Sequence, residues 1–184
     1  HRLAVRVAAA CEAAEVLDHA LALEPVEDHP ERVVAQLRLH LREVVRMQQR
    51  VGLQSATDGE FRRRSWWLDL IMGWEGFSAD RAGMSEVVWR NKQGGTMASS
   101  RLWATGPIRW KPSATVRAFE FLKRNTSLVP KVTLPAPLIL HMFGGGNKGI
   151  LEGHYKDIDA FWADVVAAYR QELKALVDAG ATYI

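Results

Sequence analysis

The chain has 184 residues, 48% hydrophobic and 24% charged, with a mean hydropathy of −0.13, a composition that fits one soluble globular domain and excludes a disordered chain. Lys and Arg outnumber Asp and Glu by 24 to 21, and a net charge of +3 is too weak a field to recruit nucleic acid despite a pI of about 9.2. Cys11 is the only cysteine, which leaves neither an internal disulfide nor a thiolate cluster for a metal within one copy.

No apolar run approaches the roughly 18 residues of a membrane span, and the opening residues lack the charged-then-apolar layout of a secretory signal. A cytoplasmic address with no membrane partner is therefore the expectation. All 16 aromatic residues lie after Glu60, which sets the first segment apart. Residues 1–40 read as an atypical helical segment or linker: an Ala-rich helix is expected from about Val7 to Leu23, and Pro25 and Pro30 bracket the acidic turn at Glu27 and Asp28.

From Glu31 onward, Val34, Leu37, Leu41, Val44 and Val45 recur at three- and four-residue steps, and Gly52 follows as a stop, so an amphipathic helix is predicted. Leu53 to Thr57 reads as a buried strand that runs into the polar turn Asp58-Gly59-Glu60. Glu86 to Arg90 and Leu102 to Trp110 flank the turn-rich Asn91-Lys92-Gln93-Gly94-Gly95 and predict a hairpin. Ser113 is placed to cap a helix that puts Val116, Phe119 and Leu122 on one side and ends near Asn125. Val129 to Pro135 then returns as a strand.

Gly144-Gly145-Gly146-Asn147-Lys148-Gly149 lacks the spacing of a phosphate loop and reads as a mobile lid. The last helix carries Ile158, Phe161, Trp162, Val165, Tyr169, Leu173 and Leu176 in one stripe and stops at Gly180, after which Thr182 to Ile184 begins a strand. Strands alternating with helices imply parallel pairing through right-handed crossovers, and so an α/β fold.

Three ordered stretches carry a resemblance: Val51 to Arg63 with Ser65, Trp66 and Asp69; Pro130-Lys131-Val132-Thr133-Leu134-Pro135-Ala136-Pro137; and Tyr155 to Ile184. Together they resemble the cobalamin-independent methionine synthase family over about Leu41 to Ile184. The resemblance implies a (β/α)₈ TIM-type barrel, truncated after about half of its strands, with residues 41–184 as its N-terminal portion. It implies a methyltransferase that moves a methyl group from a methyltetrahydrofolate to a thiol such as homocysteine. The alternatives are a related alkyl-thiol transferase or lyase, or a non-catalytic barrel remnant. The family uses zinc to hold the thiol as a thiolate. Two features depart from the family: residues 1–40 show no His-x-Gly-Ser, and no His-x-Cys occurs to begin a zinc ligand set.

By resemblance, Glu60 holds the amino group of the amino-acid thiol, with Asp58 beside it at a strand's C-terminal end, where barrel enzymes build their sites. Each acid also reads as a cap or salt bridge. Arg62 either orients Glu60 or a substrate carboxylate through a bidentate fork, or is a surface arginine. Trp66 and Asp69 fall one helical turn apart and so share a face, where Trp66 serves as packing or as a platform for a pterin. Pro135 and Pro137 end their strand because neither donates to a ladder, and His141 on the next turn faces the pocket or serves structure. No catalytic residue is identified and no metal ligand is present. The expected partners are the small-molecule thiol and methyl donor. A severed barrel with an open edge at Thr182 to Ile184 is expected to be inactive alone, and to self-associate or pair with a complementing C-terminal half.

Overall fold

The computed structural model describes residues 30–63, 65–92 and 94–184, so the expected helix from Val7 to Leu23 lies outside it. The chain divides into two units, one of residues 30–63, Arg117–Thr133 and Ala179–Ile184, the other of Ser65–Val116 and Leu134–Asp178.

The first unit begins with the amphipathic helix the apolar spacing predicts, α1 (Pro30–Arg50), which runs without a break across residue 40. Proline at its first position loses no intrahelical hydrogen bond. Leu41, Val44 and Val45 are buried while Arg42, Glu43 and Arg46 face solvent. Gly52 ends the turn that follows in the left-handed conformation, at φ 78°, which glycine adopts without a Cβ clash. Strand β1 (Ser55–Ala56) comes next. Helix α3 (Ala114–Asn125), whose residues from Arg117 belong to this unit, leads into β4 (Val129–Pro130). β1 and β4 pair in parallel, with Ser55 opposite Val129 and Ala56 opposite Pro130, and a single parallel bridge joins Lys131 to Tyr183. Val45, Ala56 and Leu122 pack together with Leu128 against them, so the ladder is covered by α1 and α3. At roughly 1.5–3 kcal/mol per buried aliphatic side chain, this small cluster is what holds the strand end in place.

The second unit contains α2 (Leu68–Ile71), the hairpin strands β2 (Glu75–Arg90) and β3 (Thr96–Arg109), α4 (Leu138–Phe143), α5 (Gly146–Glu152) and α6 (Ile158–Asp178). The hairpin is antiparallel, as the turn at Asn91 to Gly95 predicts, and it starts at Glu75 rather than Glu86. Its register shifts between Glu75 and Phe77, where Gly76 takes φ 88° and a Cβ would meet the Pro107 carbonyl oxygen at 2.5 Å. Aromatic residues build the core. Trp67 stacks on Phe143 with ring centres 4.2 Å apart, and Trp74 meets Tyr169 edge-on at 5.1 Å. Phe161, Val165 and Tyr169 of α6 complete it, as the stripe along the last helix predicts, with Ala168 beside them, whereas Leu173 of that stripe is exposed.

The architecture is mixed α/β, as expected, and the described strands form one short parallel ladder and one antiparallel hairpin and close no barrel. One expectation is corrected here. The lid expected at Gly144 to Gly149 is instead a tight helix–turn–helix in which Gly144 and Gly149 are buried. The reason is steric, because a Cβ on Gly149 would sit 2.0 Å from the Gly144 carbonyl oxygen. The glycines let two short helices touch. No described helix is long and apolar enough to cross a membrane.

Candidate functional site

The turn after β1 is built by a residue that the sequence pattern does not single out. Gln48, buried on α1, donates from Nε2 to the Thr57 carbonyl at 2.8 Å, and its Oε1 accepts the Thr57 N–H at 3.0 Å. Its side-chain amide thereby takes the place of a neighbouring strand. Beyond Thr57 the chain coils on itself: Thr57 Oγ1 accepts the Gly59 N–H at 2.8 Å, and Asp58 Oδ1 accepts the Glu60 N–H at 3.1 Å. Gly59 has φ 65° and Glu60 φ 62°, the single non-glycine residue with positive φ among the described residues. An L-residue held there costs about 1–2 kcal/mol, a strain that persists only where the surroundings over-determine it.

Those surroundings are Arg63 and Thr133. Glu60 Oε1 accepts the Thr133 hydroxyl at 2.6 Å and lies 3.1 Å from Arg63 Nη1. Arg63 Nη2 donates to the Thr133 carbonyl at 2.7 Å, and the Arg63 N–H donates to the Glu60 carbonyl at 2.8 Å. The Glu60 side chain is 35% exposed. The salt-bridging reading of Glu60 therefore holds, and its arginine is Arg63, not Arg62. Arg62 lies over the Phe121 ring, 4.1 Å from its centre, and donates to the Ala118 carbonyl at 3.5 Å. Burial lowers the Arg62 pKa from its ordinary value, and the charge of Asp58 opposes that shift. Arg62 and Arg63 are adjacent in sequence, which is why residue type alone does not separate them.

Trp66, Asp69, Pro135 and His141 belong to the second unit. Trp66 lies in the turn before α2, which starts only at Leu68, so the helical spacing that was to join it with Asp69 is absent. Trp66 is 49% exposed, and Asp69 Oδ2 accepts the Ser65 N–H at 2.7 Å, closing that turn. Pro135 is buried and its carbonyl accepts the Tyr169 hydroxyl at 3.0 Å. The ladder ends at Lys131, before Pro135 is reached, and Pro137 caps the N-terminus of α4. His141 Nε2 lies 2.6 Å from Asn147 Oδ1, and its ring stacks on Trp162 with centres 5.8 Å apart.

The second unit also holds an acid that the sequence reading passes over. Glu172 is fully buried, its Oε2 accepting Trp110 Nε1–H at 2.6 Å and its Oε1 accepting the Ser113 hydroxyl at 2.6 Å. Ser113 Oγ in turn accepts the N–H groups of Thr115 and Val116, the cap its position predicts. Burial and, second, the charge of Glu172 raise the pKa of Tyr169 above its ordinary value. Tyr155 is raised in the same direction by burial and by its bond to Asp164 at 2.6 Å, while it accepts the Ile108 N–H at 2.8 Å. Among the described residues no three His, Cys, Asp or Glu side chains gather where they could hold a metal ion.

No family model matches the chain. It is 30% identical to the uncharacterized protein YxjH of Bacillus subtilis strain 168 over 142 residues, which is 77% of this chain and 36% of YxjH. It is 29% identical to YxjG of the same organism over 146 residues, with the same shares. The chain thus spans about a third of the length of these curated relatives. Among solved structures, it is similar to a candidate vitamin-B12-independent methionine synthase of Listeria monocytogenes, with TM-score 0.66 and 26% identity, covering 91% of this chain and 46% of that one. It shares its fold with a B12-independent methionine synthase of a Shewanella species in complex with selenomethionine, with TM-score 0.63 and 22% identity, covering 85% of this chain and 42% of that one. The Listeria structure thus gives the chain a likeness at 26% identity to a candidate B12-independent methionine synthase over about half of that protein, and the Shewanella structure, at 22%, a shared fold.

Proposed function

We propose that this chain forms part of a (β/α) barrel of the cobalamin-independent methionine synthase type and takes part in transfer of a methyl group from a methyltetrahydrofolate to an amino-acid thiol such as homocysteine. The barrel reading draws support from strand order. β1, β4 and the bridge at Tyr183 lie side by side, parallel and in sequence order, as successive β/α steps require.

The observation that carries the functional reading is Glu60. It stands just past the C-terminal end of β1, held in a left-handed backbone by a dedicated set of contacts. That is the end of a parallel strand on which such folds place ligands. In this reading Glu60 binds the substrate ammonium group, Asp58 adds negative charge from the same turn, and the pair fixes the orientation of the amino acid. Thiolate activation would belong to zinc, for which the described residues gather no ligand set, and no step is assigned to it. Trp66, Asp69, Pro135 and His141 remain proposed substrate contacts on the strength of the resemblance alone.

Calorimetric titration of the chain with L-homocysteine tests the site. Saturable binding that weakens at least tenfold in Glu60→Gln is expected, since a charge-assisted bond contributes about 1.5–3 kcal/mol. Equal affinity in the variant would falsify the assignment.

A further inference from the structure

We propose that Arg63 and Thr133 are positioning residues that commit one oxygen of Glu60 to the protein and reserve the other for a compact ammonium donor. The inference rests on the functional reading above. Both bonds that hold the Glu60 carboxylate fall on the same atom: the Thr133 hydroxyl at 2.6 Å and Arg63 Nη1 at 3.1 Å both meet Oε1. Neither of these bonds falls on Oε2. A carboxylate held by one oxygen and open at the other is a preset acceptor, and its side chain is 35% exposed.

The clamp is closed on itself. Arg63 reaches Glu60 with one nitrogen and the Thr133 carbonyl at 2.7 Å with the other, while Thr133 reaches Glu60 with its hydroxyl. Each of the three residues therefore touches the other two, so none rotates alone. The planar fork of an arginine is what spans a carboxylate and a carbonyl together, and a lysine, as a single point donor, does not. Chain geometry places the parts. Thr133 leaves the ladder just after the Lys131 bridge and Glu60 just after β1, so the clamp ties the exits of two adjacent parallel strands. The Arg63 N–H also closes the backbone turn on the Glu60 carbonyl at 2.8 Å.

One open oxygen sets a preference among cations. A guanidinium gains most from gripping both oxygens of a carboxylate, and here one is already occupied twice. An ammonium group needs a single anionic acceptor, so the arrangement selects a free α-amine.

The test compares two probes on the full chain: L-homocysteine and 4-mercaptobutanoate, which keeps the thiol and carboxylate and lacks the amine. The readout is the ratio of their affinities on each variant. A variant that is partly unfolded weakens both probes alike and leaves the ratio alone, so a merely structural role does not move it. Wild type is expected to favour L-homocysteine about tenfold or more, and Arg63→Gln and Thr133→Val each to cut that ratio about three- to tenfold. Thr133→Ser, which keeps the hydroxyl, should restore the ratio, and Arg63→Lys should not. If Glu60→Gln loses the preference while Arg63→Gln and Thr133→Val retain it, the positioning role is overturned and the functional reading stands. If wild type shows no preference for the amine, the functional reading falls and this inference falls with it.

Discussion

Glu172 in one unit and Glu60 in the other are each held by two side-chain donors, yet the two carboxylates are arranged in opposite ways. Glu172 is fully buried and gives each oxygen one donor, Trp110 to one and Ser113 to the other, so it has nothing left to offer a ligand. Glu60 is part-exposed, gathers its partners on one oxygen, and sits in a backbone conformation that glycine would take more readily. The contrast separates an acid used to build from an acid set out for binding. Satisfied on both sides and buried, a carboxylate organises a core; strained and half satisfied, it marks a site.

The largest effect is expected on the building side. Glu172→Ala orphans the Trp110 and Ser113 donors and leaves a cavity, and should cost about 3 kcal/mol in urea unfolding. Trp110→Phe combined with it should cost less than the sum of the two changes, because the shared bond is lost only once. A fully additive double variant would break the claim that these groups act as one network.

Gly149→Ala comes next. Its Cβ would be driven to within 2.0 Å of a backbone oxygen, and a loss of about 2 kcal/mol is expected by the same measurement. Tyr155→Phe should cost about 1 kcal/mol by removing the bonds to Asp164 and the Ile108 N–H. Tyr155 and Tyr169 add a pH signature. Their folded pKa values lie above the ordinary phenol value, so their contribution is complete below about pH 10, where the unfolded phenols begin to ionise, and is lost as pH rises further. Tyr155→Phe should therefore make stability fall less steeply above about pH 10. Smallest is Arg62→Met, expected within about 0.5 kcal/mol of wild type, because an arginine resting on one ring contributes little and the methionine keeps much of the packing.

Much of the fold is legible from spacing. The apolar period marks α1 and α6, turn chemistry marks the hairpin, and Ser113 marks a cap, because each is a local rule acting on neighbouring residues. The parallel pairing of the segment before Asp58 with the one after Val129 is legible too, since alternation of strand and helix leaves little choice. What escapes is non-local. Gln48 and Thr133 are ordinary polar residues whose roles appear only when distant segments meet, and no periodicity announces them. Choosing Arg62 over Arg63 fails for a related reason, as the turn at Gly59 and Glu60 decides which of two adjacent side chains returns to the carboxylate. The glycine run reads as a lid because glycine permits both freedom and close packing, and only the contact between Gly144 and Gly149 distinguishes the two.

The claim that Glu60 is set out for binding is tested most directly by Glu60→Gly, followed by both urea unfolding and titration with L-homocysteine. Relief of the left-handed strain should offset loss of a part-exposed ion pair and leave stability within about 1 kcal/mol of wild type. L-Homocysteine affinity should fall at least tenfold in the same variant. A variant that loses several kcal/mol of stability while binding the folded protein as tightly as wild type would contradict the account and place Glu60 with Glu172, among the residues that build.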